Sequence, residues 1–260
     1  MRAKPSDASP PIKTAMLSKL TAKGHLRNVA MVALVCAFSL RGCPGENARA
    51  PSFVLQPLGD ADERLLALMR RFVEAAYGAP CNVAPPLALP SGAYDRIRNQ
   101  YQADRLLSFL QDNAPRRARK VVGVTEKDIY TRNMNFIFGL ANYHGTFCVV
   151  SVARLRESFW GKPENEKLLY RRAFKVLYHE LGHTFGMSHC DKIQCAMCYH
   201  NSLPELDASY VWFCPACTRK LEKLAGPFPE DRNEKLSDLL TEIGLTEDAK
   251  RYTQQKGGKE

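Results

Sequence analysis

His179-Glu180-Leu181-Gly182-His183-Thr184-Phe185-Gly186-Met187-Ser188-His189 is the stretch on which the reading of this chain turns. Leu169, Phe174, Leu177, Leu181 and Phe185 recur at steps of three to five residues, so Glu164 to Phe185 is expected as one long helix. His179 and His183 then lie one helical turn apart, and their imidazoles leave the same face. Two such nitrogens can grip one zinc ion. Glu180 neighbours the first histidine and reaches toward water at the metal's open position rather than the metal itself. Zinc lowers the pKa of such a water to about 7 and polarises a carbonyl group. Glu180 would accept the water's proton and pass it to a leaving amine. Gly186 tolerates a left-handed turn, ends the helix and lets the chain return with His189 as a third ligand. Three neutral histidines leave the metal dipositive, with one position for water.

The cysteines continue the pattern. Five of the nine lie between Cys190 and Cys217. Clustering beside histidines points to metal rather than to a disulfide scaffold spread through a short chain. Cys190 and Cys195, followed at a distance by Cys214-Pro215-Ala216-Cys217, match a four-cysteine structural zinc site. Cys198 competes with Cys195 for a ligand place. A disulfide pair and buried free thiols with a redox CxxC stay open as alternatives. A metal here would tie the segment after His189 to the C-terminal part of the chain, and Trp212 and Phe213 would shield it.

Composition narrows the function classes. The 260 residues, 45% hydrophobic and 25% charged, suit a globular protein with a sizeable core. The net charge of +10 is concentrated at the N-terminus, where residues 1–43 hold seven Lys/Arg against Asp7. The remainder carries 30 basic and 26 acidic residues, a balance that gives no nucleic-acid signal. The run Arg116, Arg117, Arg119, Lys120 reads as a solvated loop. Residues 1–43 read as a leader: Lys19, Lys23 and Arg27 precede an uncharged apolar run from Val29 to Leu40, too short to span a bilayer as a mature helix. Leu40 with Gly42-Cys43 is similar to a lipoprotein cleavage box, although Arg41 is unusual inside one. Lipidation of Cys43 would make the chain an exported or membrane-anchored lipoprotein. An ordinary N-terminal extension of a cytoplasmic protein is the alternative.

Residues 44–52 read as a linker, 53–225 as the catalytic domain with the four-cysteine subregion, and 226–260 as a C-terminal helix and tail. Within the domain, Phe53-Val54-Leu55 begins a strand, and Asp62 to Tyr77 reads as a helix on Leu65, Leu68, Met69 and Phe72. A second helix is expected from Asp95 to Asp112, a buried strand at Lys120 to Val124, and further strands at Met134–Phe138 and Thr146–Ser151. The order is mixed α/β, with helices and strands interleaved. After Pro229 a last amphipathic helix carries Leu236, Leu239, Leu240 and Ile243.

Taken together, HExxHxxGxxH followed at once by Cys190, then Cys195-Ala196-Met197 and a distant CxxC, resembles the archaemetzincins, a metzincin-like family of zinc peptidases. Asn135-Phe136-Ile137-Phe138-Gly139, Ser151 with Arg154-Leu155, and Gln100-Tyr101 with Leu106-Leu107 look like segments of the same family. The resemblance covers roughly Phe53 to Leu224. It implies a zincin-type α/β (α+β) fold, a mixed twisted sheet with helices in which the active-site helix carries HExxH. It implies two zinc ions per chain: a catalytic one on His179, His183 and His189 with Glu180 as base, and a structural one on Cys190, Cys195, Cys214 and Cys217. Met197 resembles the methionine of the turn beneath the metal. The Phe136 strand is implied as the edge that pairs with substrate backbone; His144 would then lie near that cleft, although a loop histidine without a role is the commoner case. Cys198 and the leader-like N-terminus depart from the family's pattern.

A peptide or protein substrate is therefore expected. Tyr199, His200 and Tyr210 are candidates to hydrogen-bond a tetrahedral intermediate, though aromatic residues after such a turn more often pack. A catalytically silent, zinc-stabilised peptide-binding module is the competing class, and the intact Glu180 speaks against it, since binding alone has no need of that carboxylate. A redox or nucleic-acid-binding zinc protein fits the balanced charge poorly.

Overall fold

The computed structural model describes residues 52–254. The segment expected as a leader, with Cys43, most of the segment expected as a linker, and the last six residues lie outside the described residues. Among those described, no helix is long and apolar enough to cross a membrane.

The centre is a mixed sheet. β1 (Phe53–Pro57) is flanked in parallel by β2 (Cys81–Val83) and β5 (Lys120–Thr125), and β8 (Phe147–Ser151) adds in parallel to β5. β7 (Gly139–Ala141) closes that side antiparallel to β8, giving the order β2-β1-β5-β8-β7. Parallel strands need crossovers, which put helices over both faces and leave strands apolar on both sides. α1 (Glu63–Tyr77) makes the β1-to-β2 crossover, its N-terminus capped by the Asp62 carboxylate, which accepts the Leu65 N–H at 3.0 Å.

The pleat sorts the core into two clusters. Phe53, Leu55, Val122, Val124, Cys148 and Val150 face α1 and the long helix α3 (Glu166–Thr184). Their neighbours Val54, Val121 and Val149 face α2 (Ala103–Asn113) through Leu106, Leu107 and Leu110. This is the two-residue alternation of a strand read on both sides. α6 (Arg232–Glu242) and α7 (Thr246–Gln254) join the first cluster with Leu236, Leu239, Leu240 and Tyr252, and the buried Arg232 donates to the Ala76 carbonyl at 2.8 Å. Between α3 and α6 come the short α4 (Leu203–Ala208) and α5 (Pro215–Ala225).

Three expectations are corrected. The second helix does not begin at Asp95. Its carboxylate accepts the N–H groups of Ile97 and Arg98 at 3.0 and 3.1 Å, which turns the chain, and Ile97 stands 98% exposed. Residues 94–102 form a hairpin, β3 (Tyr94–Asp95) with β4 (Gln100–Gln102), and β6 (Ile129–Tyr130) pairs with β4. The helix starts only at Ala103. The strand expected at Met134–Phe138 is displaced to Gly139–Ala141, because Ile137 is bridged to Ile129 while Gly139 pairs with Val150. The basic run divides. Arg116 and Arg117 are exposed, but Arg119 donates to the Ala225 carbonyl and Lys120 belongs to β5.

Candidate metal centre and its cleft

α3 carries the first two histidines as expected. Asn165 caps its start, accepting the Leu168 N–H at 3.0 Å, and Gly186 leaves its end at φ 90°. The turn at Gly186 is also crowded: a Cβ there would lie 2.5 Å from Nδ1 of His144. The chain then returns His189 to the helix face. Nε2 of His183 stands 3.0 Å from Nε2 of His179 and 3.1 Å from Nε2 of His189.

Backbone carbonyls orient two of the rings. His179 Nδ1 donates to Ala196 O and His183 Nδ1 donates to Met187 O, each at 2.8 Å. Since a carbonyl only accepts, those Nδ1 atoms carry the protons and the two Nε2 atoms present lone pairs to each other. Lone pairs at that separation repel unless a cation lies between them. A zinc ion about 2.0–2.1 Å from each nitrogen would hold them a little over 3 Å apart. The residues present thus fit a zinc ion. Burial pushes the His179 ring down to about 3 and lowers His183 and His189 as well, which keeps all three neutral as ligands must be.

Glu180 is buried beneath the edge strand. A Cβ on Gly139 would lie 2.6 Å from Glu180 Oε1, so only glycine allows β7 to pass so close. Burial pushes the carboxyl up to about 8. Glu180, the three histidines and the β7 strand line one cleft of about 380 Å³, with Phe136, Phe138, Val176 and Leu206 on its apolar side. Met197 is fully buried under the helix at Gly182, where a Cβ would run into its sulfur.

Sequence reasoning did not anticipate a clamp at the C-terminal end of α3. The β7–β8 turn is strapped there by His144 N–H to His183 O at 2.9 Å and by the Tyr143 hydroxyl to Gly186 O at 2.8 Å. Lys120 completes it, donating from Nζ to Gly145 O at 2.6 Å and Thr184 O at 2.7 Å. A cation at a helix C-terminus is favourable, although burial pushes this ammonium down to about 8. In the sequence Lys120 stood both in the charge run, which suggested solvent, and at the start of a buried strand, which β5 bears out; neither pointed to the end of α3.

Cys190, Cys195, Cys214 and Cys217 form a second group, their sulfurs all within 4.8 Å of one another, and the described cysteines form no disulfide. Cys190 Sγ and Cys214 Sγ are 3.9 Å apart, far beyond an S–S bond and close to the edge of a tetrahedron with zinc–sulfur distances of about 2.3 Å. Hydrogen bonding from the Cys217 thiol pulls the Cys195 thiol down against the effect of burial, toward the thiolate that binds metal. The group therefore fits zinc too. Cys198 stays outside it, its thiol directed at the Tyr199 carbonyl at 3.6 Å. Phe213 is buried beside the group and stacks on Tyr178 at 3.8 Å. Tyr210 is held away from the cleft, with the Arg251 guanidinium 4.0 Å over its ring.

The family model for Peptidase family M54 matches residues 81–223. An archaemetzincin of Methanocaldococcus jannaschii is 36% identical over 168 residues, spanning 65% of this chain and 91% of that protein. One from Thermococcus kodakarensis is 37% identical over 174 residues, spanning 65% and 94%. The crystal structure of archaemetzincin from Methanopyrus kandleri superposes with a TM-score of 0.58 at 32% identity, covering 67% of this chain and 95% of that one. The Archaeoglobus fulgidus archaemetzincin, complexed with malonate, gives 0.57 at 30% identity, covering 65% and 99%. With the family model matching more than half of its length, relatives 36% and 37% identical and a fold shared with their solved structures, the chain belongs to peptidase family M54, the archaemetzincins, and is a zinc metallopeptidase.

Proposed function

We propose that this chain hydrolyses peptide bonds by water attack with Glu180 as general base, holding one zinc ion on His179, His183 and His189 and a second, structural one on Cys190, Cys195, Cys214 and Cys217. The catalytic zinc, when bound, supplies Lewis-acid activation of water and of the substrate carbonyl. The chain's own residues do the rest. The outer edge of β7 has no strand partner among the described residues, so an extended peptide can add there by backbone hydrogen bonds. The wall of Phe136, Phe138, Val176 and Leu206 keeps bulk water from one side of the bond. Glu180 takes a proton from the attacking water and returns it to the leaving nitrogen.

The observation that carries this reading is the convergence of three Nε2 atoms on one point in the cleft that Glu180 also lines. The test is a peptide-library cleavage assay with zinc-loaded wild type and Glu180→Gln side by side. The variant should keep its zinc content and fold while its turnover drops by about 10²–10⁴-fold. Equal cleavage by the two proteins would remove Glu180 from the mechanism.

A further inference from the structure

Hydrolysis by this route builds negative charge on one atom. As the water oxygen bonds to the carbonyl carbon, the π pair of the C=O group moves onto its oxygen and the water's proton goes to Glu180. When the C–N bond breaks, that pair re-forms the carbonyl and the nitrogen takes the proton from Glu180. A hydrogen-bond donor placed where the oxyanion develops is worth far more in the transition state than before it. Glu180 cannot be this donor while it serves as base.

The cleft offers few candidates. Thr131, Tyr143 and Tyr199 bring hydroxyl groups to its lining. Thr131 Oγ1 is committed to the Asp104 carboxylate at 2.7 Å, and the Tyr143 hydroxyl to Gly186 O at 2.8 Å. His200 lies with its ring centre 6.4 Å from that of His179, but its Nε2 is shut off from solvent. Tyr199 differs from all of these. It is 46% exposed, its ring centre is 5.0 Å from that of His189, and its hydroxyl makes no hydrogen bond among the described residues. Its place beside His189 is set by the backbone. Cys190 N–H donates to Met197 O, and Cys198 N–H to Cys195 O, each at 2.9 Å. These bonds pin the turn that delivers Tyr199 against the segment that delivers His189.

We propose that the Tyr199 hydroxyl donates a hydrogen bond to the substrate's carbonyl oxygen as it becomes an oxyanion, which makes Tyr199 a catalytic residue of this chain. The inference rests on the hydrolytic reading above. Phenylalanine at this position fills the same space without the donor, so Tyr199→Phe isolates the hydroxyl. Asn201, which also lines the cleft but whose side chain hydrogen-bonds the Glu205 carboxylate, supplies the control.

The experiment uses the zinc-loaded full chain as wild type, Tyr199→Phe, Asn201→Ala and Glu180→Gln. It measures kcat and KM on a cleaved peptide, zinc content, and affinities for a phosphinic peptide, which mimics the tetrahedral anion, and for the product peptides. Tyr199→Phe should lower kcat on the order of 10²-fold with KM close to wild type. Phosphinic-peptide affinity should fall by the factor lost from kcat/KM, while product affinity and zinc content hold. Wild-type turnover in Tyr199→Phe would overturn the assignment. So would an equal loss of affinity for both peptides, a fall in zinc content, or a loss of kcat that follows Asn201→Ala instead. Full activity in Glu180→Gln would sink the hydrolytic reading itself. An inactive Glu180→Gln beside a normal Tyr199→Phe would sink only the role of Tyr199.

Discussion

Each histidine of the triad is placed by a different physical cause. His179 and His183 need only helical geometry, and backbone carbonyls then choose their tautomers. His189 needs Gly186, for two reasons that act together. The residue sits at φ 90°, and the His144 ring occupies the space where a Cβ would go. A non-glycine residue in left-handed backbone costs roughly 1–2 kcal/mol before any crowding. Gly186→Ala should therefore loosen the third ligand and release the zinc of the histidine group during dialysis, while the cysteine group keeps its metal. Metal analysis of the dialysed protein reads this directly, and full retention of both zinc ions would show that the turn does not place His189. The glycine was legible in the sequence as a turn former. The crowding by His144 was not, because it depends on the β7–β8 turn, which sequence spacing does not locate.

At the scale of elements, α3 is both the scaffold of the site and a buried helix with charges to satisfy. Lys175 is fully buried and donates from Nζ to the carbonyls of Leu206 and Ser209, tying α3 to the end of α4. Burial pushes it from 10.5 down to about 7, and a neutral amine has two N–H groups for those two carbonyls. Between pH 7 and 10.5 the unfolded chain then binds a proton that the folded chain does not, so this group adds stability as pH rises through that window. Unfolding of wild type and Lys175→Met, compared by denaturant titration at pH 7 and pH 10, should show the wild type gaining relative to the variant, by at most a few kcal/mol. A constant difference would mean that Lys175 is charged in both states. The helix itself was legible from its apolar spacing to within two residues at either end. The segment before α2 was not. Its apolar residues Ile97 and Tyr101 fall in helical register, yet the local hydrogen bonds of Asp95 compete successfully for the backbone.

At the scale of the molecule, the cysteine group joins parts that share little else. Cys190 follows the third histidine directly, Cys195 precedes the buried Met197, and Cys214 and Cys217 open α5. A metal there closes the segment that carries Met197, Tyr199 and His200, all of which bear on the cleft. Cys214→Ser with Cys217→Ser should lower zinc content by one per chain and reduce the melting temperature. It should also weaken binding at the histidine group, since Ala196 O, which orients His179, belongs to that closed segment. Unchanged zinc content would leave the group as four thiols without a metal. By contrast, a chelator should strip the half-exposed histidine group first, with little change in melting temperature.

The sequence by itself determined which three histidines gather, the carboxylate beside them and the cysteine grouping, because all three follow from short-range geometry: a helical turn, a glycine turn and paired thiols. It also determined the mixed α/β class from the alternation of helical and strand periods. Tertiary structure alone decided which strand edge faces the metal centre, that Gly139 must be glycine for β7 to clear Glu180, and that Lys120 leaves solvent to clamp α3. It alone separated Tyr199 from Tyr210 and His200, three residues that look equivalent along the chain. Those outcomes depend on contacts between residues far apart in sequence, whose energies come from packing and burial rather than from local spacing.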